Sequence, residues 1–429
     1  MKALGIDIGT TTISAVVYDS ERCVIASRTV KNDSFLPGEV SEKIQDPRAI
    51  YETAMESVNN LLEFHPDVRS IGVTGQMHGI VYLDANGDPV SPLYTWQDGR
   101  GDLPWGETTW AGRLSEITGY DLATGYGMVT HYYNVYHGLV PENAAVFCTI
   151  HDFLAMKLAG LRRPVMEATD AASLGLYDAV NHCFDRSALK AAGIDDALLP
   201  AIAAEPCLGV GPLGIPVYAA IGDNQASFLG ATAGRTDALL INIGTGSQIS
   251  VYSPAYVQTN TLETRPFPDG GWLLVGASLC GGRAYALLEN FFRQTVKIAT
   301  GSEMSLYDAM ARMLDDDDIT DVPKVSTLFQ GTRKDPSLRG SITGLSTENF
   351  TPRHLILGTM QGMADELYEM YRGYLELGSQ RPAAIIGSGN GLRKNPHLCR
   401  IMEKTFGCPL ILSENDEEAA CGAAIYAMQ

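Results

Sequence analysis

The chain has 429 residues, 45% of them hydrophobic, and a formal net charge of −19 from 31 Lys and Arg against 50 Asp and Glu. That length exceeds one core and fits two domains of roughly 200 residues. The acidic balance argues against nucleic-acid or anionic-membrane partners, which demand basic patches; a nucleotide is still allowed, its charge met locally by a metal and backbone donors.

In chain order, residues 2–18 read as a β-hairpin, 46–64 as a helix, 68–74 as a strand ending in a polar turn, and 79–83 as a further strand closed by Asp84-Ala85-Asn86-Gly87. Residues 105–160 have mostly helical character, 217–221 form a buried strand, and a small-residue helix runs through 224–231. A second half opens at 238–243, a strand followed by a turn at 244–247 and a strand at 248–252. Asp315 to Asp318 read as a solvated loop or helix cap. A helix over 360–377, a strand at 383–387, a helix at 394–406, a strand at 409–412 and a helix at 417–428 close the chain. Strands alternate with helices and each half starts on a hairpin, which predicts an α/β chain of two sheet domains, 1–228 and 229–429. No apolar stretch reaches membrane-spanning length and no signal-peptide pattern opens the chain, so a cytoplasmic location is expected. Eight scattered cysteines without a CxxC pair read as reduced thiols.

One motif occurs twice. Ile6-Asp7-Ile8-Gly9-Thr10-Thr11-Thr12 and Ile241-Asn242-Ile243-Gly244-Thr245-Gly246-Ser247 share an apolar run, a glycine and hydroxyl residues in the same order. Gly lets backbone come close to an oxyanion, and N–H and hydroxyl groups supply donors. Two copies predict two similar halves holding one phosphate chain; two ordinary hairpins are the alternative. Asp7 stands just before the first turn, where a lone acid among phosphate donors can hold Mg²⁺ through water; its counterpart is Asn242.

Asp223 follows the strand at 217–221, between Gly222 and Asn224-Gln225-Ala226-Ser227. Carboxyl ends of strands in open α/β sheets face the ligand crevice, and a carboxylate there can take the proton of an alcohol being phosphorylated. The plain alternative is a helix N-cap. The loops Gly75-Gln76-Met77-His78-Gly79 and Thr95-Trp96-Gln97-Asp98-Gly99-Arg100 combine polar groups with one aromatic ring, as a polyol pocket requires. Gly387-Ser388-Gly389-Asn390-Gly391 is a Gly-rich βα turn suited to the base or ribose of a nucleotide, without a Walker lysine.

Together these segments resemble the FGGY carbohydrate kinases of the actin-like ATPase superfamily, end to end and in motif order. The resemblance implies two RNase H-like domains around a central nucleotide and sugar cleft, ATP and Mg²⁺ as cofactors, and a ketose as acceptor. It implies Asp223 as catalytic base and Gln76, Met77, His78, Asp98 and Asn224 as sugar contacts. Thr10, Thr11, Thr12, Gly244, Thr245, Gly246, Gly389 and Asn390 fall to ATP, and Asp7 to the metal. "GQMHG" and "TWQDGR" point to the ketose-kinase branch of xylulokinases and sedoheptulokinases; Gln97, "DAASLGLYD" at 170–178, "GDNQAS" at 222–227 and "ASLCGG" at 277–282 favour the latter, while Asn224 is shared with xylulokinases. His131-Tyr132-Tyr133 replaces the Lys-x-Trp element expected near 125–140. A chaperone-like ATPase and a non-catalytic sugar sensor are the rivals. A homodimer is compatible with the sequence, which does not set the oligomeric state.

Overall fold

The computed structural model describes residues 1–21, 23–314, 320–332, 335–378 and 381–429; the acidic run at 315–318 lies outside them. By packing, the chain divides into two units. The first holds Met1–Gly234, Arg265–Gly271 and Asn415–Gln429, the second Arg235–Thr264 and Trp272–Glu414. This differs from two contiguous halves meeting at residue 228, because the C-terminal helix Glu418–Tyr426 belongs to the first unit.

In the first unit β1 (Lys2–Ile8), β2 (Thr12–Asp19) and β3 (Cys23–Lys31) form an antiparallel meander. β4 (Val68–Gly75) pairs parallel with β1 on the other side. The inward side chains of the hairpin, Ile6, Ile8, Ile13, Ala15 and Val17, share a core with Ile50, Ala54, Val58 and Leu61 of α1 (Pro47–Phe64). Asp46 starts α1 as the N-cap, its carboxylate accepting from the amides of Arg48 and Ala49, with Pro47 at the first helical position.

The strand expected at 217–221 is two pieces, β5 (Pro216–Tyr218) and β6 (Ile221–Gly222), both paired parallel with β4. Val217 faces Ile71 and Ile221 faces Thr74, so one extra residue is accommodated between them, and the Ala219 amide turns away to donate to Pro206 O (2.8 Å). The C-terminal helix lies so close to this sheet that a Cβ on Gly5 would stand 1.8 Å from Ala420 O and one on Gly72 1.9 Å from Ala423 O. Its small-residue face is therefore a packing face.

The second unit repeats the plan. β7 (Ala238–Ile243), β8 (Ser247–Ser253) and β9 (Trp272–Ser278) are antiparallel; β10 (Ala384–Ser388) and β11 (Leu410–Leu412) extend the sheet in parallel from β7. Each unit thus runs third, second, first, then parallel strands, the RNase H-like order. The helix expected at 360–377 starts earlier, at Pro352, where Thr351 accepts from the His354 amide and caps it. Among the described residues no helix is long and apolar enough to cross a membrane.

Candidate active site

Three strands of the first unit end together. In register, Asp7 of β1 faces Thr74 of β4, and Thr74 faces Ile221 of β6; one step further Ile8, Gly75 and Gly222 are aligned. The Thr74 hydroxyl donates to Ile221 O (2.7 Å) and locks this edge. The Gly9 turn, the Gln76-Met77-His78 loop and Asp223 all leave from it, so one sheet edge gathers residues separated by more than 200 positions.

Asp223 is not an N-cap. Gly222 occupies that position, and Asp223 is the first residue of the helix Asp223–Thr232, with no side-chain capping bond. Asn224 Nδ2 donates to Asp223 Oδ1 (3.3 Å) and approaches Met77 Sδ (3.6 Å). Burial raises the proton affinity of Asp223, while His151 and Arg265 pull it down. Burial, then the charges of Asp223 and Glu417, push the carboxyl of Asp7 up to about 7.

The first turn is held from behind. Asn32 Nδ2 donates to Gly9 O (2.9 Å), Gln45 Nε2 to Thr10 O (3.0 Å) and the Asn32 amide to Thr11 O (2.8 Å). In a trans peptide C=O and the next N–H point oppositely, so the amides of Thr10 and Thr11 face away from these anchors. The Thr10 hydroxyl accepts from Trp96 Nε1 (3.0 Å) and donates to Gln76 Oε1 (3.4 Å), and Gln76 Nε2 donates to Gln45 Oε1 (2.8 Å). Gln76 keeps one lone pair and one N–H unused.

His78 has φ +73, a left-handed conformation that a non-glycine residue holds only under constraint. Ser173 supplies it, with Ser173 Oγ accepting from the His78 amide (3.3 Å) and Ser173 O 2.6 Å from Nδ1, while the ring stacks on Tyr126 at 4.5 Å.

Asp98 is tied into its own loop. Its side chain is 0% exposed. Oδ1 accepts from the amide and Nε of Arg100, and Oδ2 from Arg100 Nη2 and the Lys43 amide. These four bonds match the acceptor capacity of a carboxylate, so Asp98 braces its loop. Trp96 and Gln97 of the same loop are exposed. His131, in the place of the missing Lys-x-Trp element, is buried, its Nδ1 2.7 Å from the Tyr82 hydroxyl.

In the second unit, Gly244, Thr245 and Gly246 stand beside Gly389 and Asn390. A Cβ on Gly389 (φ +83) would stand 2.5 Å from Ile243 O, and Asn242 Nδ2 donates to Ser388 Oγ (2.7 Å). The sequence reading missed the helix α2 (Gly281–Thr300), whose first residues buttress this turn. The amides of Gly282 and Arg283 donate to the carbonyls of Gly244 and Thr245 (3.0 Å each), and a Cβ on Gly281 would meet Gly246 at 2.4 Å. The double glycine of "ASLCGG" was the available signal.

Two family models describe the chain: the FGGY family of carbohydrate kinases, N-terminal domain, over residues 2–230, and the C-terminal domain of the same family over residues 239–429. The sedoheptulokinase of Mus musculus is 30% identical across 99% of this chain and 97% of its own length. Among solved structures, the xylulose kinase of Rhodospirillum rubrum superposes with a TM-score of 0.82 at 22% identity, covering 100% of this chain and 89% of that one. Plasmodium falciparum glycerol kinase, solved with ADP, gives 0.80 at 18% identity, over 99% and 88% of the two chains. The chain belongs to the FGGY family of carbohydrate kinases and is an ATP-dependent sugar phosphotransferase.

Proposed function

We propose that this kinase phosphorylates the terminal hydroxyl of a ketose and that the ketose is sedoheptulose, giving sedoheptulose 7-phosphate and ADP. The observation that carries the substrate is the 30% identity with a sedoheptulokinase along almost the whole of both chains. Exposed Gln97 and the part-buried Asn224 are the candidates for reading the extra hydroxyls of a seven-carbon sugar.

Asp223 is the proposed base. Its carboxylate takes the proton of the sugar hydroxyl, the hydroxyl oxygen bonds to the γ-phosphorus, and the bond from that phosphorus to the β,γ-bridging oxygen breaks to release ADP. The raised proton affinity of Asp223 suits acceptance of that proton. Met77 and His78 offer backbone groups to the sugar, Asn224 its side-chain amide, and Gln76 its unused N–H and lone pair. Asp98 keeps the neighbouring loop in place. The outward amides of the Thr10-Thr11-Thr12 turn and the Gly244-Thr245-Gly246 turn are the proposed phosphate donors, with Gly389 and Asn390 toward the nucleoside. Burial and then the acidic neighbours push the Asp7 carboxyl up to about 7, a charge a divalent cation would offset, and its oxygen donors suit Mg²⁺; Asp7 is therefore the proposed metal residue. When bound, Mg²⁺ supplies neutralisation of phosphate charge.

A coupled ADP-release assay over a ketose panel tests the substrate. Sedoheptulose should exceed D-xylulose in kcat/KM by at least about tenfold, because each pocket group left unpaired by a shorter sugar costs roughly 1–3 kcal/mol. D-xylulose equal to or better than sedoheptulose would shift the assignment to xylulokinase, the reading favoured by the shared Asn224.

A further inference from the structure

Behind Asp223 lies a second group of titratable side chains that the proposed reaction does not use. His151 and Asp152 occupy the first turn of the helix Ile150–Leu158, and Asp170 lies in the helix Ala168–Leu174. His151 and Asp170 are 0% exposed and Asp152 is 1% exposed. His151 Nε2 lies 2.9 Å from Asp170 Oδ1. Both ring nitrogens, both Asp170 oxygens and Asp152 Oδ1 lack a hydrogen-bond partner of regular geometry. Three buried polar side chains so poorly satisfied weaken the fold, and a core without functional demands would fill this space with apolar groups.

Their place in the sheet says what they serve. A Cβ on Gly75 would stand 3.2 Å from His151 Cβ, so His151 packs on the backbone of β4 where Gly75 is in register with Gly222. The residue after Gly222 is Asp223. The neighbouring helix grips the same spot, since the Gly222 amide donates to Thr169 Oγ1 (3.0 Å), whose own hydroxyl donates to Glu167 Oε2 (2.5 Å). Thr169 and Asp170 are adjacent, so one short helix holds both the backbone before Asp223 and the histidine behind it.

We propose that the buried His151–Asp170 pair is a positioning device for Asp223, fixing where its carboxylate stands and which charge it meets; this rests on Asp223 being the base. Burial disfavours charge on either group, lowering the proton affinity of His151 and raising that of Asp170. His151 faces the carboxylates of Asp152 and Asp223 as well as Asp170; Asp170 also faces Asp152, Glu167 and Asp223; Asp223 faces His151, Arg265, Asp170 and Asp7. His151, then Arg265 and the Asn224 backbone amide, draw Asp223 toward its ionised, proton-accepting form.

The test is a double-mutant cycle in the full-length enzyme with His151→Gln and Asp223→Asn, reading kcat and both KM values. Circular dichroism and calorimetric ketose binding report whether each variant is folded. A carboxylate displaced by a fraction of an ångström to 1 Å loses up to about 10²-fold in rate. His151→Gln should lower kcat about 10- to 100-fold with both KM values within about threefold of wild type. In the Asp223→Asn background the same change should have no further effect, because the pair acts only through that carboxylate. Effects that multiply, a loss confined to KM, or an unchanged kcat in a folded His151→Gln enzyme would each overturn the proposal. If His151→Gln does not fold, Asp170→Asn takes its place in the cycle with the same expected outcomes. Near-wild-type activity of Asp223→Asn would instead remove the reading of Asp223 as base.

Discussion

The two Gly-Thr turns share a motif and a place in their sheets, yet they are built differently. The first is anchored by side chains, Asn32, Gln45, Gln76 and Trp96, which tie it to the loops expected to hold sugar. The second is anchored by backbone, with the amides of Gly282 and Arg283 on its carbonyls and glycines at 281, 389 and 391 pressed against it. The residue before each turn differs as well. Asp7 is a carboxyl crowded by other acids, whereas Asn242 is a neutral amide donating to Ser388. One copy of the motif is tied by side chains to its neighbouring loops, and the other is a platform of main chain.

Asp7→Asn makes the first copy like the second, and it should have the largest effect. With Asp7 as the proposed metal residue, removing its charge should lower kcat about 10²–10³-fold, as loss of one electrostatic stabiliser does elsewhere. The same change should stabilise the ligand-free protein at high pH. The carboxyl of Asp7 titrates at about 7 when folded and near its ordinary 3.8 when unfolded. Between those values the folded chain binds the extra proton, so this group's contribution declines as pH rises toward 7 and stays unfavourable above it. Asn carries no such penalty. The thermal midpoint of Asp7→Asn should exceed wild type by about 2 °C or more at pH 8 and match it near pH 4. A midpoint difference that does not change with pH would mean Asp7 is not held in its protonated form by burial and its acidic neighbours.

Much of this was legible in the sequence. The hairpin at 2–18, the turn at 244–247 and the position of Asp223 follow from alternation, glycine and a run of apolar residues, which are local signals. Other features were not legible because tertiary packing decides them. The break between Val217 and Ile221 arises from one extra residue opposite β4, which no local pattern marks. Only the fold shows that Asp98 accepts from Arg100 and the Lys43 amide, since Lys43 is 55 positions away. The C-terminal helix joins the first unit because Gly5, Gly72 and Gly230 let it come close, a long-range match of small residues. His151 and Asp170 carry no motif at all and meet only when two helices pack.

Glycine substitutions sharpen the contrast between side-chain and backbone anchoring. At Gly244 the nearest atom to an added Cβ is Asn242 Oδ1 at 4.0 Å, so a side chain there meets open space. Gly244→Val should leave the thermal midpoint within about 2 °C of wild type and weaken ATP binding about 10- to 100-fold, with ketose binding unchanged. At Gly9 an added Cβ would stand 2.8 Å from Thr12 O, so Gly9→Val should lower stability as well as ATP affinity. Calorimetry with each ligand separates the cases. Ketose affinity falling in Gly244→Val while ATP affinity holds would break the assignment of this turn to phosphate.

The smallest expected effect tests the wiring itself. Trp96 is 45% exposed and donates from Nε1 to the Thr10 hydroxyl, which in turn reaches Gln76. If the first turn senses sugar through this bridge, binding of ketose and of a non-hydrolysable ATP analogue should favour each other, and by thermodynamic reciprocity each should strengthen the other by the same factor. Trp96→Phe keeps the ring and removes the one donor. A net hydrogen bond contributes about 0.5–1.5 kcal/mol, and solvent competition at this exposed site puts the loss at the low end, about two- to fourfold. That loss should appear in the coupling factor, measured as ketose affinity with and without the analogue, more than in either affinity alone. A coupling factor unchanged by Trp96→Phe would leave the two turns alike in function, with the side-chain anchors of the first serving only to hold its shape.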